Sequence, residues 1–282
     1  MMTRGVCVIL IMITVFICLS FTIRGKVIGK CIKDVNDTMN EKGIETFFVS
    51  SSQSDLESKM KLSALLERLQ DGADRHLQQL GITISEMLRD GFGWMLMTMD
   101  LTITKHPVLE EKMELATWSK GYKGVVWLRD YELIGASGAA GYARSAWTLV
   151  DIHKRKILRP TALPYEIPVV EGEVSDGPPE KVAVPQEVEM KKAYEFIATY
   201  SLMDSNGHVN NAKYADLCYD ALGTDEARNL RLNRFRITYH REVKQDEHGI
   251  IERSDLIDES IWFRGINREG KIIFEAEIQF EV

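Results

Sequence analysis

The chain has 282 residues, of which 45% are hydrophobic and 27% charged; this is enough apolar material for one large core or two modest ones, and it excludes a disordered chain. A formal net charge of -7 sets the protein as a whole against nucleic acid and anionic lipid, so an acidic partner needs a local basic patch. Cys7, Cys18, Cys31 and Cys218 include no pair with metal-ligand spacing, which argues against a cysteine metal site and a disulfide framework and for a reducing compartment.

In chain order, residues 5–23 (GVCVILIMITVFICLSFTI) come first, an uncharged stretch long enough to span a membrane and not followed by a small-residue cleavage site. Arg4 precedes it, and Arg24, Lys26, Lys30 and Lys33 follow, so a helix here would anchor the remainder on the cytoplasmic side. The other reading is a misassigned start, because Met39 opens MNEKGIETFFV like the beginning of a soluble domain. Both readings place the folded part in the cytoplasm and treat residues 1–38 as separate from it.

From about Glu45 a strand, a helix and then several strands follow, and the order occurs twice. ETFFVSS reads as a strand. Met60, Leu62, Leu65, Leu66, Leu69, Ala73, Leu77 and Leu80 recur at helical spacing and predict a helix over 60–80, stopped by Gly81. FGWMLMTMDLTIT, KMELATWSKG, KGVVWLRDYELI and GYARSAWTLVDIH predict an antiparallel meander. Residues 161–190, rich in proline and carrying EGEVSDGPPE, read as a linker rather than a packed element. The second copy, 191–282, starts with AYEFIATYSLM, passes through DSNGHVNN, and predicts a helix over about 210–222 with Tyr214, Leu217, Cys218 and Ala221 on its apolar face. LNRFRITYHREV, ESIWFRGI and KIIFEAEIQFEV follow as strands. In the last, alternation of Phe274, Ala276, Ile278, Phe280 and Val282 with Glu275, Glu277, Gln279 and Glu281 predicts one buried face and one wet one. A sheet wrapped round one long helix, twice over, is a double hotdog: an α+β chain with mainly antiparallel sheets, its domains at 39–160 and 191–282.

Asp204, Asn206, His208, Asn210 and Asn211 crowd between a strand and a helix start, where free N–H groups and the helix dipole suit an anion or an oxyanion. The same residue types also make ordinary capping loops. A thioester hydrolase needs an activated nucleophile, a base and oxyanion donors, and this cluster supplies candidates for each.

The run D-x-N-x-H-V-N-N-x-K-Y closely resembles the active-site segment of the acyl-acyl carrier protein thioesterases of plants and bacteria, which are two fused hotdog domains. ITYHREV resembles that family's second catalytic segment, of the type Y-R-R-E. LSALLERLQDGADRHLQQLGI and SAWTLVDIHKRKILRP look like its N-terminal helix and sheet end, so the resemblance spans about 45–282. It implies hydrolysis of fatty acyl-acyl carrier protein to free fatty acid, with the carrier protein as partner, no metal and no organic cofactor, and Asp204, Asn206, His208 and Glu242 as the catalytic set. In that reading Glu242, with or without His208, deprotonates a water, Asn206 orients water or thioester, and Asp204 fixes the loop. Strict alternation along FRITYHREV groups Glu242 with Arg236, Thr238 and His240 on the solvent side, so a bulge near the strand end is needed to bring it in. Many relatives carry cysteine after the glutamate; Val243 stands here, and Cys218 reads as a buried thiol, so water rather than a cysteine is the expected nucleophile. In the first copy MKLSALL occupies the place of HVNNAKY without its Asn and His, which implies one active site per chain.

Alternation in FGWMLMTMD puts Met95, Met97 and Met99 on one face, as core or as the wall of an acyl tunnel, the resembled family setting acyl length in its N-terminal half. Lys154, Arg155 and Lys156 form the densest basic run, a solvated turn or a docking site for an acidic carrier. The rival functions are an acyl-coenzyme A thioesterase of the same fold and a non-catalytic acyl-binding protein. The absence of G-x-S-x-G disfavours a Ser-His-Asp hydrolase.

Overall fold

The computed structural model describes residues 41–172, 174 and 178–281; the apolar segment 5–23, three of the four cysteines and Val282 lie outside them. Among the described residues no helix is long and apolar enough to cross a membrane. The first half contains β1 (Gly43–Phe48), α1 (Leu62–Gln79), α2 (Ile84–Arg89), β2 (Phe92–Ile103), β3 (Lys112–Lys123), β4 (Val126–Gly135), β5 (Gly138–Asp151) and the short β6 (Lys156–Ile157). The second contains β7 (Lys191–Ile197), α3 (Lys213–Asp220), α4 (Thr224–Asn229), β8 (Arg231–Tyr239), β9 (His248–Arg253), β10 (Ser260–Asn267) and β11 (Ile272–Glu281).

All strands but β6, which pairs with the side of β5, form one path in the order β1-β3-β4-β5-β2-β8-β11-β10-β9-β7. Renumbering the second half by its own first strand turns that order into 1-3-4-5-2 followed by 2-5-4-3-1, so the repeat seen in the sequence is a pseudo-twofold through the β2–β8 pair. Arginine-carboxylate pairs cross that seam and its flanks. Asp100 takes Arg234 bidentately at 2.8 and 2.6 Å, Arg144 meets Asp130 at 2.7 Å, and Arg236 reaches Glu277. Asp130 and Arg144 are both buried; removing one partner of such a pair costs about 3–5 kcal/mol, because it leaves a buried charge unmatched.

α1 lies on one face of the sheet because its leucines fall on one side: Leu62, Leu65, Leu66 and Leu69 are buried in the main core with Met99, Leu101, Leu115 and Phe235. Each such side chain contributes about 1.5–3 kcal/mol. The helix stops where expected, Gly81 taking φ of +78° while the amide of Ile82 returns to the carbonyl of Leu77 at 2.9 Å. Its counterpart is shorter. α3 buries Tyr214, Ala215, Leu217 and Cys218 and ends at Asp220, and α4 begins afresh after Gly223.

Three expectations are corrected. The connection over 161–190 is packed at both of its described ends: Leu163 and Val182 are buried, the amide of Val182 donates to Thr238 Oγ1 at 2.8 Å, and that of Val184 to Glu275 Oε1 at 3.0 Å. This strap contacts the outer face of the second sheet, so the wet face predicted for β11 is partly dry. Glu275 is 7% and Glu277 3% exposed, paired with His240 and Arg236. Finally, Met95, Met97 and Met99 do not share a face. The β2–β5 register shifts between Leu96 and Thr98, taking Met97 out of the ladder, and of the three only Met99 is buried in the core.

Candidate active site

The segment Met203–Val209 is a tight loop closed on itself. Met203 and Val209 pair as an isolated bridge, the amide of Asp204 donates to the carbonyl of His208 at 2.8 Å, and Gly207 occupies the left-handed position at φ of +79° that a side chain would strain. Asp204 is its hub: Oδ1 accepts the amides of Asn206 at 2.8 Å and His208 at 3.2 Å, and Oδ2 takes the Asn206 side-chain amide at 3.4 Å. Asp204 thus organises the loop.

Glu242 arrives from the other side. β8 ends at Tyr239, and the amides of both His240 and Arg241 donate to the single carbonyl of Ile273, at 2.8 and 3.0 Å. Two residues facing one is a bulge, and it breaks the alternation that would have turned Glu242 away. His208 then pairs with Lys244 and the Val209 amide with the Val243 carbonyl at 2.8 Å, zipping the two segments together. His208 Nε2 comes to rest 3.3 Å from Glu242 Oε2, with the side chains 23% and 41% exposed, at the surface end of an otherwise apolar core. The side chain of Val243 is 1% exposed, so whatever occupies the position after the glutamate faces the core and not the site.

The remaining candidates divide. Asn206 is exposed, its amide bonded to Asp204 rather than to Glu242. Asn210 and Asn211 act locally: Asn210 Oδ1 accepts the Ala212 amide at 2.9 Å, and the Asn211 carbonyl accepts the Tyr239 hydroxyl at 2.9 Å. Beneath the loop Tyr214 stacks edge-on against Tyr239 and Phe274; burial first, and then the negative charges of Asp204 and Glu242, push its phenol well up, so it stays protonated. Cys218 is fully buried and burial pushes its thiol up, which makes it inert as a nucleophile.

Sequence reasoning missed one residue of the site. Arg155 extends from the turn between β5 and β6 and places Nη2 2.5 Å from Glu242 Oε2. It had been grouped with Lys154 and Lys156 as a docking run, and its distance of 87 positions from Glu242 along the chain hid the contact. Lys154 is turned back on Asp151 at 3.3 Å.

The first half repeats the loop, one residue out of the register expected from the sequence. Bridges Ser54–Met60 and Lys59–Val108 match Met203–Val209 and His208–Lys244, so KMKLSAL rather than MKLSALL faces HVNNAKY, and Lys59 stands at the place of His208.

A sheet whose two halves repeat one strand order, each half contributing a helix to the shared core, defines a double-hotdog protein, with a histidine-carboxylate couple in its second half. Family models describe both halves: the acyl-ACP thioesterase N-terminal domain matches residues 41–163 and the C-terminal domain residues 185–282. The chain belongs to the acyl-ACP thioesterase family. An oleoyl-acyl carrier protein thioesterase of Arabidopsis thaliana is 25% identical over 235 residues, 72% of this chain and 60% of its own length; the dodecanoyl-[acyl-carrier-protein] hydrolase of Cinnamomum camphora is 23% identical over 71% of this chain and 56% of its own. The chain therefore spans little more than half the length of these curated relatives. Among solved structures, an acyl-ACP thioesterase from Bacteroides thetaiotaomicron superposes with a TM-score of 0.76 at 20% identity, covering 86% of this chain and 98% of the other. The 12:0-ACP thioesterase of Umbellularia californica gives 0.69 at 16% identity, covering 85% and 97%.

Proposed function

We propose that this protein hydrolyses fatty acyl thioesters of acyl carrier protein to free fatty acid, with water as the nucleophile. The observation that carries the reading is the His208–Glu242 couple at 3.3 Å, assembled from a rigid loop and a bulged strand end in a chain of this family. Glu242 takes the proton of a water, His208 shares the same carboxylate and assists, Asp204 holds the loop, and the exposed Asn206 amide meets the thioester or the water. Among the described residues no thiol is available to form an acyl-enzyme: Cys218 is buried and Val243 points inward. Cys218→Ala should lower stability by about 1 kcal/mol and leave turnover intact. Met99, buried in the main core with the leucines of α1, is the methionine proposed to limit acyl length, while Lys154 and Lys156 are proposed to face the acidic carrier. Residues 1–38 are proposed to lie outside the catalytic machinery.

The test is thiol release across acyl lengths, with each chain offered on acyl carrier protein and on coenzyme A. The reading expects preference for the carrier protein. Equal or better use of coenzyme A would move the substrate class, and tight binding without thiol release would make the protein an acyl-binding module.

A further inference from the structure

We infer that Arg155 is a positioning residue for Glu242, supplied to the site by the opposite half of the molecule. The inference rests on the hydrolase reading above. The turn that carries Arg155 is built to present it. Asp151, at the end of β5, accepts the amides of His153 at 3.0 Å and Lys154 at 2.8 Å, and β6 returns to pair Lys156 with Asp151. Within this turn Arg155 takes φ of +51°, a left-handed conformation that glycine adopts freely and a long side chain rarely does. A turn that needed only to reverse the chain would be served by glycine. It carries instead a guanidinium, 64% exposed, whose Nη2 lies 2.5 Å from Glu242 Oε2.

That oxygen is the one His208 Nε2 approaches at 3.3 Å, so Oε2 is held from two sides by groups from the two halves. Oε1 is then the oxygen presented to a water. Glu242 needs such a clamp, because it lies beyond the end of β8 with its side chain 41% exposed, and a free glutamate there would spread over several rotamers. Ion pairs this exposed contribute little to folding, which separates a positioning role from a structural one: loss of Arg155 should slow the chemistry without unfolding the protein.

The test uses the full chain with Arg155→Gly, which keeps the left-handed turn, with Arg155→Lys, and with Lys154→Glu combined with Lys156→Glu. Two substrates are compared, an acyl carrier protein thioester and the same acyl group on N-acetylcysteamine, which has neither phosphate nor carrier. Arg155→Gly should lower kcat on both by about tenfold, the loss of one oriented contact, with KM for the small thioester unchanged and a melting temperature no lower than that of the wild type, since glycine relieves the left-handed turn, and Arg155→Lys should recover part of the loss. The paired lysine reversals should raise KM for the carrier substrate only. A change confined to KM for the carrier substrate in Arg155→Gly, or no change on either substrate, overturns the inference. A second readout does not depend on turnover: the nitrogen-15 signals of the Arg155 guanidinium should be slowed in exchange in the wild type and lose that protection in Glu242→Gln. A wild type that cleaves thioesters but whose Arg155 signals ignore Glu242→Gln overturns the positioning role alone. One that shows the contact and cleaves no thioester overturns the hydrolase reading, and the role with it.

Discussion

The loops at Asp55–Met60 and Asp204–Val209 are built on one backbone plan and carry different chemistry. Asp55 Oδ1 accepts the amides of Glu57 and Lys59, both at 2.9 Å, as Asp204 Oδ1 accepts those of Asn206 and His208. The Met60 amide reaches the Pro107 carbonyl at 2.8 Å, as Val209 reaches Val243. Thr104 and Lys105 both donate to Ala140, repeating the bulge of His240 and Arg241 on Ile273. The side chains at corresponding places differ: Glu57 for Asn206, Lys59 for His208 and His106 for Glu242. His106 turns its Nε2 onto the Met60 carbonyl at 2.8 Å, tying down the loop instead of facing a histidine, and burial lowers its pKa. The loop and the bulge are therefore devices of the fold, common to both halves, and the two halves differ in the residues held there.

The contrast can be broken most sharply at His208. His208→Ala should cut kcat by about a hundred- to ten-thousand-fold, the range general acid-base groups typically contribute, whereas Lys59→Ala, its counterpart, should leave kcat within about twofold. Steady-state thiol release measures both. Next in size are the hubs. Asp204→Ala removes three charge-assisted loop bonds and Asp55→Ala two, and each should lower unfolding free energy by about 1–2 kcal/mol in urea titrations, but only the first should reduce turnover. The turn residue gives a smaller effect. Ser58 holds φ of +58° where Gly207 holds +79°, so Ser58→Gly should stabilise by about 1 kcal/mol and Gly207→Ser should destabilise by a similar amount.

The smallest effect concerns pH. His106 has its folded pKa lowered from 6.5, chiefly by desolvation, with the bond to Met60 opposing. The unfolded chain therefore binds the proton first, and the stability His106 contributes is complete above about 6.5 and lost as pH falls toward the folded value. His106→Gln should flatten that acid limb of the stability curve without moving the pH dependence of turnover.

Much of this contrast was legible in the residues. The helical leucines of α1, the stop at Gly81, the twofold repeat and the concentration of Asp204, Asn206 and His208 before a helix all follow from local spacing. Three features were not. The bulges at Met97 and at His240–Arg241 shift facing by one residue, and alternation carries no mark of where a ladder takes in an extra residue. The burial of Glu275 and Glu277 depends on the strap of 178–184 contacting the outer face of the sheet, a tertiary event invisible in a strand whose acidic residues alternate cleanly. The contact of Arg155 with Glu242 joins two turns from separate halves, and within its own neighbourhood HKRK reads only as a basic run.

On the hydrolase reading, the reaction belongs to the second loop and its carboxylate alone. Thiol release from an acyl carrier protein thioester, measured under single-turnover conditions for Glu242→Gln and His106→Gln side by side, tests it most directly. The account predicts a rate constant at least a hundredfold below wild type for Glu242→Gln, in line with loss of a general base, and a wild-type rate constant for His106→Gln. Wild-type turnover in Glu242→Gln, or a comparable loss in His106→Gln, would contradict it.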